Sequence, residues 1–443
     1  MIEQYKNNRK LPDIGKYNNQ YFPEKHEIMT NFVKYPNRTV VTDYTDELGN
    51  NQKSTTTVEL NRVPLAFQKE IVKVAVTFLF GNPVTYINNS EDEAMYDACM
   101  LLHKNLKFDD VYRQIGESCS RFKECAILVY NVEEPNDFYG FRSEGRIYIK
   151  LLTPDIYNLY PVFDNNGNMT SFSREFKVDK DTFFEVYTDS EIITFKNDEE
   201  VSRDANIYGK IPVVYFNYDD VEWADVQPAI ERLEAIFSNI AESNDRFAFP
   251  LLWLKGKVTG QMSQDKSGRV LQLDENSEIG FAQQPNAAES LEKEIIRLET
   301  VIRNFTATPD FSFGNLISIA NVLASGNGKA LFVQPHLKVM ERSPMYVANF
   351  KRLFNVFKAF LIFNNPSLRD KELDVTPVIT PFEIDNQEAL VKFAMEANGG
   401  QPVWSQQYAM KKVGIDDPQE MIKEIQDEAN KRVELTNSND FTL

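Results

Sequence analysis

Two stretches of helical periodicity flanking a short apolar insert constrain this chain more than any other feature. Residues 222–246 keep Val226, Ile230, Leu233, Phe237 and Ile240 on one stripe, with Asp219 and Asp220 as candidate caps and Pro228 in an early turn. Residues 287–306 repeat the arrangement with Leu291, Ile295, Leu298, Ile302 and Phe305. Between them, residues 247–286 turn to strand character, FPLLWLKGKV and then GRVLQL, with a loop expected at 259–267. Two such helices can stand side by side and carry the insert away from the body. About 25 helical residues at 1.5 Å each make a rod roughly 35–40 Å long. A rod pair of this kind buries one stripe against its partner and leaves its flanks for neighbouring subunits, which favours a ring or tube over an isolated globule.

The surrounding elements read as a mixed α+β body. Residues 62–80 place Leu65, Ile71, Val74 and Phe78 at helical spacing, and Gly81-Asn82-Pro83 stops that helix. Two further helices are expected at 94–106 and 110–130, the second running into a strand from Ala126 to Tyr130. From Arg146 to Val213 the period becomes two, which predicts one antiparallel meander with many acidic side chains on its polar face. A third helical run is expected at 329–363, broken or kinked at Pro335 and Pro344. A strand at 374–382, tail helices at 385–397 and 417–433, and an irregular end, TNSNDFTL, close the chain.

The 443 residues suggest two to four compact units at roughly 150 per domain. The formal charge is −18, and it is unevenly spread. Residues 150–245 carry −12 and residues 366–443 carry −7, whereas 246–287 carry +1 and 288–365 carry +3. Such a chain does not grip a phosphate backbone over its whole surface, although it can surround DNA and let it slide. The three cysteines, Cys99, Cys119 and Cys125, point to a reducing compartment without a disulfide framework. The first ten residues lack the apolar core of a signal peptide. The most apolar run, 71–80, is about half a bilayer span in length. A soluble intracellular protein with no membrane contact is therefore expected.

A search for chemistry returns little. Gly326-Asn327-Gly328-Lys329 lacks the first glycine of a phosphate loop, since Leu323 stands there, and Ala330 replaces its Ser or Thr. A loop ending in a cap from Ser325 or Asn327 explains the same residues. His26, His103 and His336 are far apart and fit no metal-ligand pattern. Cys119 and Cys125 read as helix-face thiols. The Asp pairs at 109–110, 219–220 and 416–417 each precede a helical run, which favours capping over ion binding. The basic aromatic run 346–363 reads as a core or subunit-packing helix rather than a membrane-surface one. No catalytic residue, cofactor or metal is expected.

Two anchors then give a resemblance. Asn61-Arg62, Ile71-Val72 and the string Phe78-Leu79-Phe80-Gly81-Asn82-Pro83-Val84-Thr85-Tyr86 resemble the early signature of tailed-bacteriophage portal proteins of the SPP1-like type. The helix at 287–306, the Pro309-Asp310 break, the loop 311–324 and Ser325-Gly326-Asn327-Gly328-Lys329-Ala330-Leu331 are similar to that family's stem helix, tunnel loop and start of the channel helix. The resemblance covers roughly 60–400. It implies a portal fold: an N-terminal arm and start of the wing (1–60), an α/β wing (61–221), a stem helix (222–246), a small β-containing clip (247–286) and a second stem helix (287–306). A tunnel loop (307–328), a kinked channel helix returning to the wing (329–383) and a short helical crown with a disordered tail (384–443) complete it.

By the same resemblance the chain is a non-enzymatic head-to-tail connector. It forms a homo-oligomeric ring, twelve subunits in the family, at one capsid vertex. The ring conducts double-stranded DNA non-specifically during packaging and ejection. Its implied partners are the terminase large subunit, a head-tail adaptor, and the major capsid and scaffolding proteins, first in the host cytoplasm and then in the virion. Asn315, Ser318, Asn321, Ser325, Asn327, Lys329 and Lys338 are expected to line the channel, with Lys329 and Lys338 nearest the duplex. Lys255, Lys257, Lys266 and Arg269 are expected to face the motor and adaptor, and Phe305, Phe311 and Phe313 to pack. The rival readings are an intracellular enzyme with an unrecognised carboxylate site in 146–216, or another phage head or tail adaptor.

Overall fold

The computed structural model describes residues 2–45, 51–247, 252–256, 263–265, 268–270, 278–281, 288–312, 314–315, 317, 332–382, 404–412, 414–415 and 417–439. Helices and strands are mixed, and two compact units divide the chain: residues 1–308 with 338–381, and residues 309–337 with 382–443.

The first unit opens with short helices α1 (Ile2–Lys6), α2 (Ile14–Tyr21) and α3 (Glu27–Thr30) and a hairpin, β1 (Arg38–Thr45) and β2 (Asn51–Val58). The Asp13 carboxylate caps α2 by accepting from the Lys16 amide. Helix α4 (Phe67–Phe80) starts five residues later than its periodicity suggested and stops at Gly81. Strand β3 (Thr85–Asn88), α5 (Glu93–Asn105) and α6 (Phe108–Phe122) follow. The helix expected at 110–130 ends at Phe122, where Lys123, at φ +73°, turns the chain directly into β4 (Glu124–Asn136). Cys125 is thus a strand residue, and its buried thiol lies 3.6 Å from that of Cys119 on α6.

The expected single meander is two sheets. Strand β5 (Ser143–Leu152) pairs with β4, and β11 (Val213–Asn217) pairs with β4's other edge, giving a three-stranded sheet ordered β11-β4-β5. Only β6 (Asn158–Phe163), β7 (Met169–Val178), β8 (Asp181–Tyr187), β9 (Glu191–Lys196) and β10 (Glu199–Ala205) form the meander. Alternation along a strand fixes which face is buried but not which strand lies beside it. The run from Glu124 to Val129, buried throughout, marks β4 as the central strand. Strand β10, EEVSRDA, escaped the period-two reading because it is a polar edge strand, held by Arg203 between Glu191 and Glu200.

Helix α7 (Gln227–Phe247) begins after a 3-10 turn at Ala224–Val226, so Asp219 and Asp220 do not cap it. Asp220 accepts from the Val221 amide instead. The insert contains β12 (Leu252–Lys255) paired with β15 (Glu278–Phe281), and β13 (Ser263–Asp265) paired with β14 (Gly268–Val270). The segment 259–267, expected as a loop, therefore contributes strand β13. Helix α8 (Ala288–Thr306) returns. Helix α9 (Val333–Asn364) then runs through both prolines. Pro335 sits in the first turn, where no intrahelical donor is needed, so it does not break the helix. Pro344 cannot donate to the Met340 carbonyl, and the Ser343 hydroxyl does so at 3.4 Å. Strand β16 (Val375–Val378) closes the unit by pairing with β3.

In the second unit, the Asp310 carboxylate accepts from the Ser312 amide and from Asn315 Nδ2, and the Phe311 and Phe332 rings lie 6.2 Å apart. Helices α10 (Gln406–Lys412) and α11 (Pro418–Asn439) follow, with Asp417 capping α11 through the Gln419 and Glu420 amides. Helix α11 extends through Asn439, past the start of the expected irregular end at Thr436. The tail helix expected at 385–397 lies outside the described residues.

Candidate functional site

The α7–α8 pair is built from the stripes that its sequence announces. Ile230, Leu233 and Ile302 are fully buried in one cluster with Trp223 and Ile71, while Phe237, Ile295 and Leu298 pack against its edge. Arg232 and Glu294 tie the two helices from outside at 2.9 Å. Phe305 is not packed within its own chain: it is 75% exposed, one turn beyond the buried Ile302 near the end of α8.

The chain leaves the first unit after Thr308 and re-enters it at Lys338, and a polar clamp joins those points. Lys338 Nζ donates to the Thr306 carbonyl at 2.8 Å, at the C-terminal end of α8, where a cation also meets the negative end of the helix dipole. The same ammonium pairs with Glu222, whose side chain is 3% exposed, and Arg342 approaches the second oxygen of Glu222 at 3.5 Å. Arg303 reaches Glu70 on α4 at 2.9 Å, and the Thr306 and Thr308 hydroxyls meet at 2.9 Å. Lys338 was expected as a cation nearest a duplex. Its charge is instead satisfied inside the chain, since a buried carboxylate needs a partner. Glu222, Arg342 and Thr306 were missed because no sequence pattern links positions so far apart.

The other expected site residues divide by where they fall. Asn315 is exposed and held in the Asp310 turn. Ser318, Asn321, Ser325, Asn327 and Lys329 lie outside the described residues, as do Phe313, Lys257 and Lys266. Lys255 is 78% exposed and stands opposite Glu278 in the β12–β15 register, 3.6 Å away. Arg269 sits on β14 opposite Gln264. The insert also exposes Trp253 and Ile279, by 45% and 44%, which charge alone did not single out. Gly280 lies opposite Trp253, and a Cβ there would stand 2.9 Å from the indole.

Several buried titratable groups in the first unit are paired with one another. Arg9 bonds Glu124 and, at 2.8 Å, the Tyr215 hydroxyl; burial pushes the Tyr215 phenol up, and the neighbouring Glu124 adds to that shift. His26 and Glu234 pair at 2.5 Å. His103 contacts the Tyr112 hydroxyl at 3.0 Å, and burial lowers its pKa to about 4. The buried carboxylates Glu124, Glu222 and Glu234 are therefore each bound to a basic group. Among the described residues, no cluster of three or more His, Cys, Asp or Glu side chains is arranged to hold a metal ion. No helix among them is long and apolar enough to cross a membrane.

The chain combines a mixed α+β body, a helix pair packed along one apolar stripe and a return helix clamped to it. The sequence matches the family described as phage portal protein, SPP1 Gp6-like, over residues 2–435, and the chain belongs to that family. The family is structural, not enzymatic. No curated protein matches the chain. Among solved structures, it is similar to a chain in the neck of a native gene transfer agent (GTA) particle with C12 symmetry, at 10% identity and TM-score 0.41, over 79% of this chain and 88% of that one. A chain of the native GTA virion is similar at 12% identity and TM-score 0.40, over the same shares.

Proposed function

We propose that this portal protein forms a ring at one capsid vertex through which double-stranded DNA is packaged and ejected, and on which the terminase large subunit and a head-tail adaptor dock. In this reading 61–221 is the wing, α7 and α8 are the stem, 247–286 is the clip and 307–328 is the tunnel loop. The helix expected to line the channel is α9. The tail 384–443 forms the crown. Major capsid and scaffolding proteins surround the ring during assembly in the host cytoplasm, and the ring stays in the virion.

The observation that carries the reading is the clamp of Lys338, Glu222 and Thr306. It ties together, within the first unit, the two points where the chain leaves after Thr308 and returns at Lys338. Conduction needs no chemistry beyond that geometry. An acidic surface repels phosphates and prevents tight binding that would stall a sliding duplex, while sparse lysines such as Lys329 give weak contacts. Lys255, Lys257, Lys266 and Arg269 supply positive charge to the clip for docking.

Deleting 312–324 tests the loop's part. Capsids are expected to assemble but to hold far less DNA, measured by nuclease-protected DNA per particle. Normal DNA content after that deletion removes the loop from the mechanism. Twelve copies of a 51.1 kDa chain give a ring of about 600 kDa, and a monomer at every concentration in sedimentation would contradict the ring itself.

A further inference from the structure

A groove of about 580 Å³ opens between the turn after β10 and the C-terminal half of α9. Its apolar walls are Ile207, Tyr208, Ile362 and Phe363, and its cations are Lys210, Lys358 and Arg369. The turn is rigid. Asn206 Nδ2 donates to the Thr188 and Lys210 carbonyls at 2.7 and 2.8 Å, and Gly209 takes φ +63°, which suits a residue without Cβ. The Tyr208 ring lies flat on Phe360, with centroids 3.7 Å apart.

The cations here are treated unlike others in the unit. Lys338, Arg9, Arg174 and Arg303 each meet a carboxylate. Among the described residues, no carboxylate pairs with Lys210, Lys358, Arg369 or the neighbouring Arg352. Desolvation, then the charges of Lys358 and Arg352, hold the Lys210 ammonium below the usual lysine range. A chain with an excess of acid has left a group of like charges without counter-charge, beside exposed Ile207 and Phe363.

We propose that this groove seats an acidic, apolar-bearing surface of a second copy of the chain and forms part of the contact between ring neighbours. The inference rests on the ring reading above. Two copies at −18 repel each other, so a stable contact between them needs a place where opposite charges meet. The groove supplies the positive side, and exposed acids away from the 207–210 turn, such as Asp179 and Asp189 in the acidic stretch 150–245, give a neighbour's surface the matching negative one. Groove against a different surface is a heterologous contact, the kind that closes into rings. Duplex DNA fits the groove less well, because a rod about 20 Å wide cannot enter it and phosphates gain nothing from its apolar walls.

Sedimentation velocity of the full chain decides the matter, comparing wild type with Lys358→Glu/Arg369→Glu over a concentration series. The expected result is an assembling wild type and a double variant that needs at least tenfold more protein for half-assembly, with unchanged circular dichroism and melting. Assembly of the double variant at wild-type concentrations overturns the inference and leaves the ring reading intact. A wild type that stays monomeric throughout overturns both. Loss of binding to a fluorescent duplex with assembly unchanged reassigns the groove to nucleic acid and also overturns it. Should the double variant not fold, Lys210→Glu on the exposed turn decides instead: a threefold or larger loss of assembly supports the contact, and no loss overturns it.

Discussion

Helices α8 and α9 both carry aromatic and aliphatic stripes, and the first unit treats them in opposite ways. Along α9, Tyr346, Phe350, Leu353, Phe354, Phe357, Phe360 and Leu361 are all buried, and Phe350 meets Tyr112 with ring centroids 4.2 Å apart. Along α8, Ile302 is fully buried, whereas Ile296, Val301 and Phe305 are exposed by 57%, 39% and 75%. The aromatic layer of α9 from Tyr346 to Leu361 is covered by its own chain, although Leu337, Met340 and Phe363 on the same helix stay exposed. Helix α8 keeps apolar surface that only an additional partner would remove from water, as a stem helix between ring neighbours would.

The largest effect expected from this contrast lies on α9. Phe350→Ala removes a ring from a site with no exposed surface and should cost about 3–5 kcal/mol of folding stability, read from urea unfolding. A loss below about 1 kcal/mol would mean that the aromatic layer is loosely packed, and the contrast with α8 would collapse.

The same layer makes the body sensitive to acid. His103 stacks on Phe108 with centroids 5.0 Å apart, and burial lowers its pKa to about 4 from an ordinary 6.5. The folded state therefore holds the ring neutral while the unfolded chain accepts a proton first. Stability from this group is intact above pH 6.5, falls as the pH drops from 6.5 to 4, and levels off below that. Over this range the loss is roughly 3 kcal/mol. His103→Gln should flatten that part of the stability curve, measured as the difference from wild type between pH 7 and pH 4.5. Parallel curves would remove His103 from the acid response.

Local pattern made much of this legible. The stripes of α4, α7 and α8 and the stop at Gly81 follow from spacing and backbone chemistry, and the clustering of Ile230, Leu233 and Ile302 follows from those stripes. Long-range pairing was not legible. Nothing in IYIKLL says that it lies beside β4 rather than β6, and nothing in Lys338 says that Glu222 waits for it. Lys255 read as a cation facing the motor and adaptor, and Lys338 as one nearest the duplex. The structure leaves one 78% exposed beside Glu278 and ties the other to a carboxylate that is 3% exposed. Partner identity, not residue type, separates them.

The smallest expected effect sharpens the contrast most. Phe305→Ala removes a large ring, yet with three quarters of it already in water the fold loses little, and urea unfolding of dilute monomer should change by less than about 0.5 kcal/mol. If the flanks of α8 meet neighbours in the ring, the same variant should still raise the concentration needed for assembly, because burying that ring is then part of the contact rather than of the fold. Sedimentation and unfolding on one preparation separate the two contributions. A loss of folding stability comparable to that of Phe350→Ala would show that Phe305 is covered by its own chain, and α8 would then be covered like the aromatic layer of α9. No change in either measurement would leave the ring without a use for that surface, and its neighbours would have to meet elsewhere.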